Sequence, residues 1–402
     1  MHPNTLLAYL IAGASIVGAK FYVDHESGNK QNSQPSEQVS LLKKEIEILQ
    51  AENQTLKKIQ GIGAEIVLPL EIYTYVEENL GHEFFPHVKA FTVSEDKLSE
   101  AAVYRWINQF SEEGMDKRNY AFQLLGLLPV NQNYPRQLAL AESNGAIGIY
   151  DVSAKELLLS ERYDPENVFH QASVIRLLSI ALLEQHYPAQ KNLSDDAFIA
   201  RDAVIRGRAS MVSHRFQNNY ARSGHIKSGS DAENAEAIEL FRSLPKIVQG
   251  ITTFPVKHGK GYVEQLTLDN DQVFPQLFKT PPHSTAQIFS NSMPQATATA
   301  ENSEPTEPAP LLKTTLGQAI TSFYIQRLKP DEHQLHTQLL NDELTLTKTP
   351  EMFTTNWLTT WKDEASATAF HKLATEISSS MEIPCQAILK ANSVTLTQSV
   401  TK

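Results

Sequence analysis

His170, His186 and His214, Ser173, Ser179 and Ser210, and the lone Cys385 are side chains of the kinds that ligate metals or attack carbonyl groups. A peptidase zinc needs two histidines one turn apart on a helix, a carboxylate from the next helix, and a glutamate to activate water. His170 opens the run His170-Gln171-Ala172-Ser173-Val174, which has neither the glutamate nor the second histidine. Glu184 and His186 stand two residues apart and do not share a helix face. The three histidines therefore read as separate surface or core residues. The serines have no nucleophile-elbow context. Lys257-His258-Gly259-Lys260-Gly261 is the nearest thing to a phosphate-binding loop, but it lacks the spacing and the Ser/Thr, and it reads as an ordinary turn. A single cysteine excludes an intramolecular disulfide and any multi-cysteine zinc site, and Cys385, within EIPCQAIL, reads as a packed small hydrophobe.

The elements that would position such groups are clearest between 167 and 220. Residues 174–183, VIRLLSIALL, are apolar nearly all round, the mark of a helix buried in a large core, with Asp164-Pro165 offering an N-cap and first helical position. A second helix covers 195–220; its Gly207 lowers helix propensity and suits close approach of a neighbour. Further helices are expected at 94–112, 232–249, 314–327 and 364–379. A strand, turn and strand are expected at 146–160, a Trp-containing segment around Trp357 and Trp361, and a final strand near 385–398. Strands and helices mix without regular βαβ alternation, so the expected class is α+β, mainly helical with a small β component. Residues 291–310 are rich in Ser, Thr, Ala, Pro and Glu and read as a flexible insertion between a first part, 63–290, and a C-terminal part, 311–402.

The N-terminal region reads differently. Residues 5–19 carry no charge, and Phe21-Tyr22-Val23 extend the apolar run past Lys20. As a helix, 5–23 rises roughly 28 Å, close to the roughly 30 Å hydrocarbon core, so 1–23 is expected to be a transmembrane anchor. The alternative is a signal peptide cleaved after Val17-Gly18-Ala19, against which stands the lack of any Lys or Arg before the run. Either reading places the rest of the chain outside the cytoplasm, in the periplasm or cell envelope, or secreted if cleaved. A polar linker, 24–36, leads to a heptad segment, 37–62. There Val39, Ile46 and Asn53 share one seam position and Leu42, Leu49 and Leu56 the other, the pattern of a short parallel dimeric coiled coil.

Six short pieces, in order, resemble a family of gluzincin-like zinc metallopeptidases. That family has a helix H-E-x-x-H-A-L-x-D-Q-H-F followed by a second helix A-L-x-E-G-D-A. Ala181-Leu182-Leu183-Glu184-Gln185-His186-Tyr187 is similar to the end of the first, and Ala203-Val204-Ile205-Arg206-Gly207-Arg208-Ala209 to the second. Gly126-Leu127-Leu128-Pro129 and Gly148-Ile149-Tyr150-Asp151 resemble the family's upstream strand region. Phe254-Pro255 with Gly259-Lys260-Gly261-Tyr262-Val263, and Pro281-Pro282-His283-Ser284-Thr285-Ala286-Gln287, resemble its downstream stretches. The resemblance implies that Arg176 and Ile180 stand at the two histidine positions, Leu177 at the general base, and Arg206 at the third ligand. None can do that work, because arginine does not deprotonate to coordinate zinc and leucine cannot activate water. The implied site is degenerate, with Arg208 near the same helix crossing.

Two guanidinium groups placed together in a core need anionic partners. Those partners are either internal, from Glu184, Asp195, Asp196 or Asp202, or a bound carboxylate, which arginine's planar fork meets well. The net charge of −11 and the scattered basic residues exclude nucleic acid as a partner. The leading expectation is thus a membrane-anchored, catalytically inactive metallopeptidase-like domain, a binding or scaffolding module requiring no cofactor. A protein, a peptide or an acidic envelope component would be its ligand. An active hydrolase with an unrecognised site, or a purely structural coiled-coil envelope protein, are the alternatives.

Overall fold

The structure is a computed structural model that describes residues 44, 46, 62–222, 231–268, 273–294, 309–329, 334–382 and 384–401. The chain divides into two units, residues 1–60 and 61–402. In the first, Lys44 and Ile46 are helical, and Ile46, a predicted seam residue, is exposed. The apolar segment 5–23, the linker 24–36 and the seam residues Val39, Leu42, Leu49, Asn53 and Leu56 lie outside the described residues, as does most of the predicted insertion. Among the described residues no helix is long and apolar enough to cross a membrane.

The second unit is α+β. Its helices are α1 (Leu70–Leu80), α2 (Glu95–Ala101), α3 (Tyr104–Phe110), α4 (Glu112–Leu124), α5 (Tyr134–Ser143), α6 (Val168–His186) and α7 (Asp195–Arg222). There follow α8 (Asp231–Ser243), α9 (Lys246–Phe254), α10 (Lys260–Thr267), α11 (Val273–Lys279), α12 (Thr285–Phe289), α13 (Gly317–Ile325) and α14 (Glu364–Ser379). One sheet has the order β1-β2-β4-β3, from β1 (Ile62–Ile66), β2 (Lys89–Val93), β3 (Gly148–Asp151) and β4 (Glu156–Ser160). There β2 and β4 run parallel and the outer pairs antiparallel. The turn of the β3–β4 hairpin is closed by Asp151, whose Oδ1 accepts from the amides of Ser153 and Ala154. This is the side-chain turn that aspartate makes readily.

The other sheet is antiparallel throughout, in the order β5-β6-β7-β9-β8, from β5 (Leu312–Thr314), β6 (Leu339–Lys348), β7 (Met352–Trp361), β8 (Gln386–Lys390) and β9 (Ser393–Thr401). Thr355, Trp357, Thr359 and Trp361 of β7 are all buried, the period of two that sends alternate side chains to one face. Helix α14 covers that face, with Phe370 4.6 Å from the Trp361 ring and edge-on to Trp357 at 5.9 Å.

Helices α6 and α7 form the centre. Val174, Ile175, Leu177, Leu178, Ile180, Leu182 and Leu183 of α6 are all buried, each such side chain contributing roughly 1.5–3 kcal/mol on transfer from water. Ser179, buried among them, donates to the Ile175 carbonyl four residues back (2.7 Å), so its hydroxyl is satisfied within the helix. The cap of α6 differs from the predicted one. Asn167 accepts from the Phe169 and His170 amides, while Asp164 accepts from Glu166 in a turn before the helix.

Gly207 does admit a close neighbour. A Cβ built there would lie 2.5 Å from the carbonyl carbon of Gly259, and one on Gly259 would lie 2.1 Å from the Ala203 oxygen. Backbone thus meets backbone where α7 crosses a π-helical turn, Pro255–Gly259. That helical segment corrects the expectation of an ordinary turn at Lys257–Gly261. The segment stays helical, running through the π turn into α10, and its Gly259 makes room for the Ala203 backbone at the crossing.

The predicted helix 94–112 is two helices, broken after Ala101, and 232–249 is broken at Pro245, which has no N–H to continue a helix. The predicted final strand is a hairpin, β8 and β9, turning through Ala391 at φ 52°. Cys385 is buried just before it, its thiol donating to the Leu124 carbonyl at 3.0 Å.

The first turn of α7 is held by distant residues. Asp195 receives both arms of Arg118 (Nε at 2.8 Å, Nη2 at 2.9 Å) and the Thr314 hydroxyl at 2.8 Å. Asp196 accepts from the Thr285 amide (2.8 Å) and hydroxyl (2.5 Å) and abuts Gly317, whose φ of +72° suits glycine. Burial lifts the Asp196 carboxyl to about 7 despite the two Thr285 hydrogen bonds, and Asp342 and Asp195 add to the rise. A carboxyl raised in the folded state keeps its proton where the unfolded chain has lost it. Its contribution to stability therefore falls as pH rises from about 4 to about 7. Asp196→Asn is expected to remove that slope, gaining on the order of a few kcal/mol relative to wild type between pH 5 and pH 8. Urea unfolding at the two pH values measures it; an unchanged slope would contradict the assignment.

Candidate functional site

One cavity, of about 70 Å³, lies along the groove between α6 and α7 beside β3. Arg176, Leu177 and Ile180 of α6 line it, and so does Arg206 of α7, four of the five residues that the resemblance groups at a degenerate metal site. Arg208 does not join them. Two residues further along a helix is about 200° round its axis, and there Arg208 donates to the Asn79 carbonyl (2.6 Å) with its guanidinium 3.8 Å above the Phe274 ring.

The helices run antiparallel, so the cavity has two ends. At one, Arg201 grips Glu184 with both arms (2.8 and 2.9 Å) and donates also to the Tyr187 carbonyl at 2.6 Å. Glu184, expected as a partner for Arg206, is thereby occupied, as are Asp195 with Arg118 and Asp196 with Thr285. Of the expected acids only Asp202 serves, taking the Arg206 Nε at 3.0 Å one turn away.

At the other end a closed ring forms. Arg206 Nη1 donates to Glu142 Oε2 at 3.0 Å; Arg105 Nη2 donates to Glu142 Oε1 at 2.5 Å; Arg105 Nη1 returns to Asp202 Oδ2 at 2.9 Å. The last contact is ionic but poorly aligned, and Arg105 Nε and Nη1 have no hydrogen-bond partner. All four side chains are between 11% and 17% exposed, so the ring is screened little by water. Burial alone would raise the Glu142 pKa, yet Arg105 and Arg206 together hold it down at about 2. Burial likewise opposes the charge on Arg206, and Asp202 with Glu142 overcome it and raise its pKa.

Arg105 and Glu142 are the residues that sequence reasoning missed. Arg105 comes from α3 and Glu142 from the last turn of α5, 37 residues apart. The one signal for them was the demand itself: two core arginines at 176 and 206 require acids that the neighbouring sequence does not fully supply.

Arg176 stands outside the ring. It is partly buried, and among the described residues no acid lies within ion-pair reach of it. Burial first, then the adjacent Arg206 charge, lowers its pKa to about 10 against the pull of Glu142, so it stays protonated at neutral pH. Tyr150 of β3 also lines the cavity, its hydroxyl without a hydrogen-bond partner among the described residues. Taken together, the guanidinium groups of Arg105, Arg176, Arg201 and Arg206 face the carboxylates of Glu142, Glu184 and Asp202, leaving one positive charge in excess.

The residues do not fit zinc. The two α6 positions offer a guanidinium and an alkyl chain, the α7 position a guanidinium, and the acids nearby are each engaged by arginine. Among the described residues no group of three His, Cys, Asp or Glu side chains is placed to hold a metal ion. The histidines are apart: His170 Nδ1 accepts from the Asp164 amide, His186 stacks on His82 at 4.4 Å, and His214 meets Lys260 at 2.9 Å. No protein-family model, curated protein or solved structure matches the chain.

Proposed function

We propose that the chain is a binding module built on a metallopeptidase-like scaffold without peptidase chemistry, tethered at a membrane by residues 5–23 and paired through the heptads at 37–62, with its second unit outside the cytoplasm. The observation that carries the reading is the convergence of Arg176, Leu177, Ile180 and Arg206 on one cavity between two buried helices. These are the positions at which the resemblance puts metal ligands and base. The cavity joins an apolar side, with Leu177, Ile180 and Phe198, to a charged one, a combination that suits capture of a ligand with one polar and one apolar end. An ionic ring then supplies the cross-links between α3, α5 and α7 that a metal would otherwise contribute.

One preparation tests both halves. Alkaline extraction of membranes should leave the full chain in the pellet. The detergent-solubilised chain, purified without added metal, should carry far less than one zinc per molecule and keep its melting temperature in chelator. Stoichiometric zinc, removed by chelator together with a peptidase activity, would sink the reading; so would full release of the chain at alkaline pH, for the tether.

A further inference from the structure

Arg176 is the point at which the ionic network is incomplete. Every other arginine on the cavity has at least one carboxylate at 3.0 Å or less, whereas Arg176 has none among the described residues and lines free space. An unpaired guanidinium beside another cation is unfavourable, and nothing in the ring needs it, because Glu142 already has two arginines and Asp202 two. The space before it, about 70 Å³, is several times the about 10–15 Å³ that one water needs. The local balance is a single positive charge.

We propose that Arg176 is an anion-binding anchor and that the α6–α7 cavity captures one carboxylate group. The proposal rests on the binding-module reading and gives it a ligand class. Three features select the class. A planar anion with two oxygens matches the guanidinium fork, and such charge-assisted pairs are about twice as strong as neutral hydrogen bonds. A dianionic phosphate would overshoot the one excess charge and press against Glu142 and Asp202, 2.5–3.0 Å from the ring arginines. Leu177 and Ile180, both buried in the cavity wall, favour an alkyl group behind the carboxylate over a hydrated inorganic ion. The free Tyr150 hydroxyl adds a second, neutral donor to the same cavity.

Two sources present this chemistry, a free small acid and the C-terminus of a peptide. The test uses the detergent-solubilised full chain, chelator-treated and held at constant ionic strength with sodium chloride. Acetate at about a hundredfold excess over its Kd should raise Tm by about 4 °C, and acetamide should not. The shift should disappear in Arg176→Gln, which by removing like-charge repulsion should itself melt no lower than wild type. Arg176→Lys, keeping the charge and losing the fork, should weaken binding at least tenfold. A tetrapeptide acid that shifts Tm where its amide does not assigns a chain end; a shift by acetate alone assigns a free acid. The proposal is overturned if acetate gives no shift, if chloride or acetamide gives an equal one, or if Arg176→Gln retains it. Zinc analysis of the same preparation separates the failures. Metal-free protein that ignores acetate removes this inference alone, whereas binding that appears only before chelation removes the binding-module reading beneath it.

Discussion

Arg206→Ala is expected to cost about 3–5 kcal/mol of folding stability, the usual penalty for leaving a buried charge without its partner. Arg206 is the link that satisfies Glu142 and Asp202 at once, at 3.0 Å each, in surroundings 11–17% exposed. Its removal leaves Arg105 alone with two carboxylates, one of them poorly aligned. In a unit of this size the loss lowers Tm by about 4–7 °C. The pH dependence identifies the cause. Glu142 is held at about 2 in the folded chain, so the ring's contribution is fully present above about 4.5 and is lost as pH falls through that value toward 2. The gap between variant and wild type should therefore narrow in acid. A loss below about 1 kcal/mol at pH 7, or a gap independent of pH, would show that the ring is not a stabilising network. Arg176→Ala, acting on an unpaired cation, should show none of this loss.

Gly259→Ala is expected to cost about 3 kcal/mol or more, the upper end of overpacking penalties. The new methyl group would fall 2.1 Å from the Ala203 oxygen and 2.7 Å from its carbonyl carbon, atoms of α7's own backbone that no rotamer change can move. Gly261→Ala, two residues on in α10, meets nothing within 4 Å and should instead stabilise by up to about 1 kcal/mol through helix propensity. Equal effects of the two substitutions would refute the backbone contact. Because Gly207 sits against the same turn and follows Arg206 directly, Gly259→Ala should also weaken acetate capture.

What the sequence made legible follows from how local its cause was. Helix α6 was readable because eight of the ten residues 174–183 are apolar, too many and too evenly spread round a helix for a solvated surface. The same holds for α14, whose Asp363 cap accepts from the Ser366 amide at 2.7 Å, and for the β3–β4 hairpin. Asp202 was readable as a partner of Arg206 because i and i+4 are neighbours on any helix. Glu142 and Arg105 were not, since their place beside α7 depends on how α3 and α5 pack, which no local pattern records. Arg208 was grouped with Arg206 by proximity in sequence, and the helical turn separates them. Helices α1, α4 and α5 also escaped notice; their apolar stripes are short and interrupted by polar residues, so packing rather than pattern decides them.

The capping of α7 by distant residues bears on the order in which this chain can become itself. Asp195 is joined to Thr314 across 119 residues, and Asp196 to Thr285 across 89. During synthesis, α6 and α7 emerge long before the segments that complete α7's first turn. Until then Asp195 has only Arg118, and Asp196 lacks the Thr285 amide and hydroxyl, so the helix pair is a provisional hairpin, since such long-range closures are the slow steps of folding. The groove that carries the arginines is therefore finished late, when β5, α12 and α13 arrive. A nascent or truncated chain would hold the two central helices without the clasp that sets them.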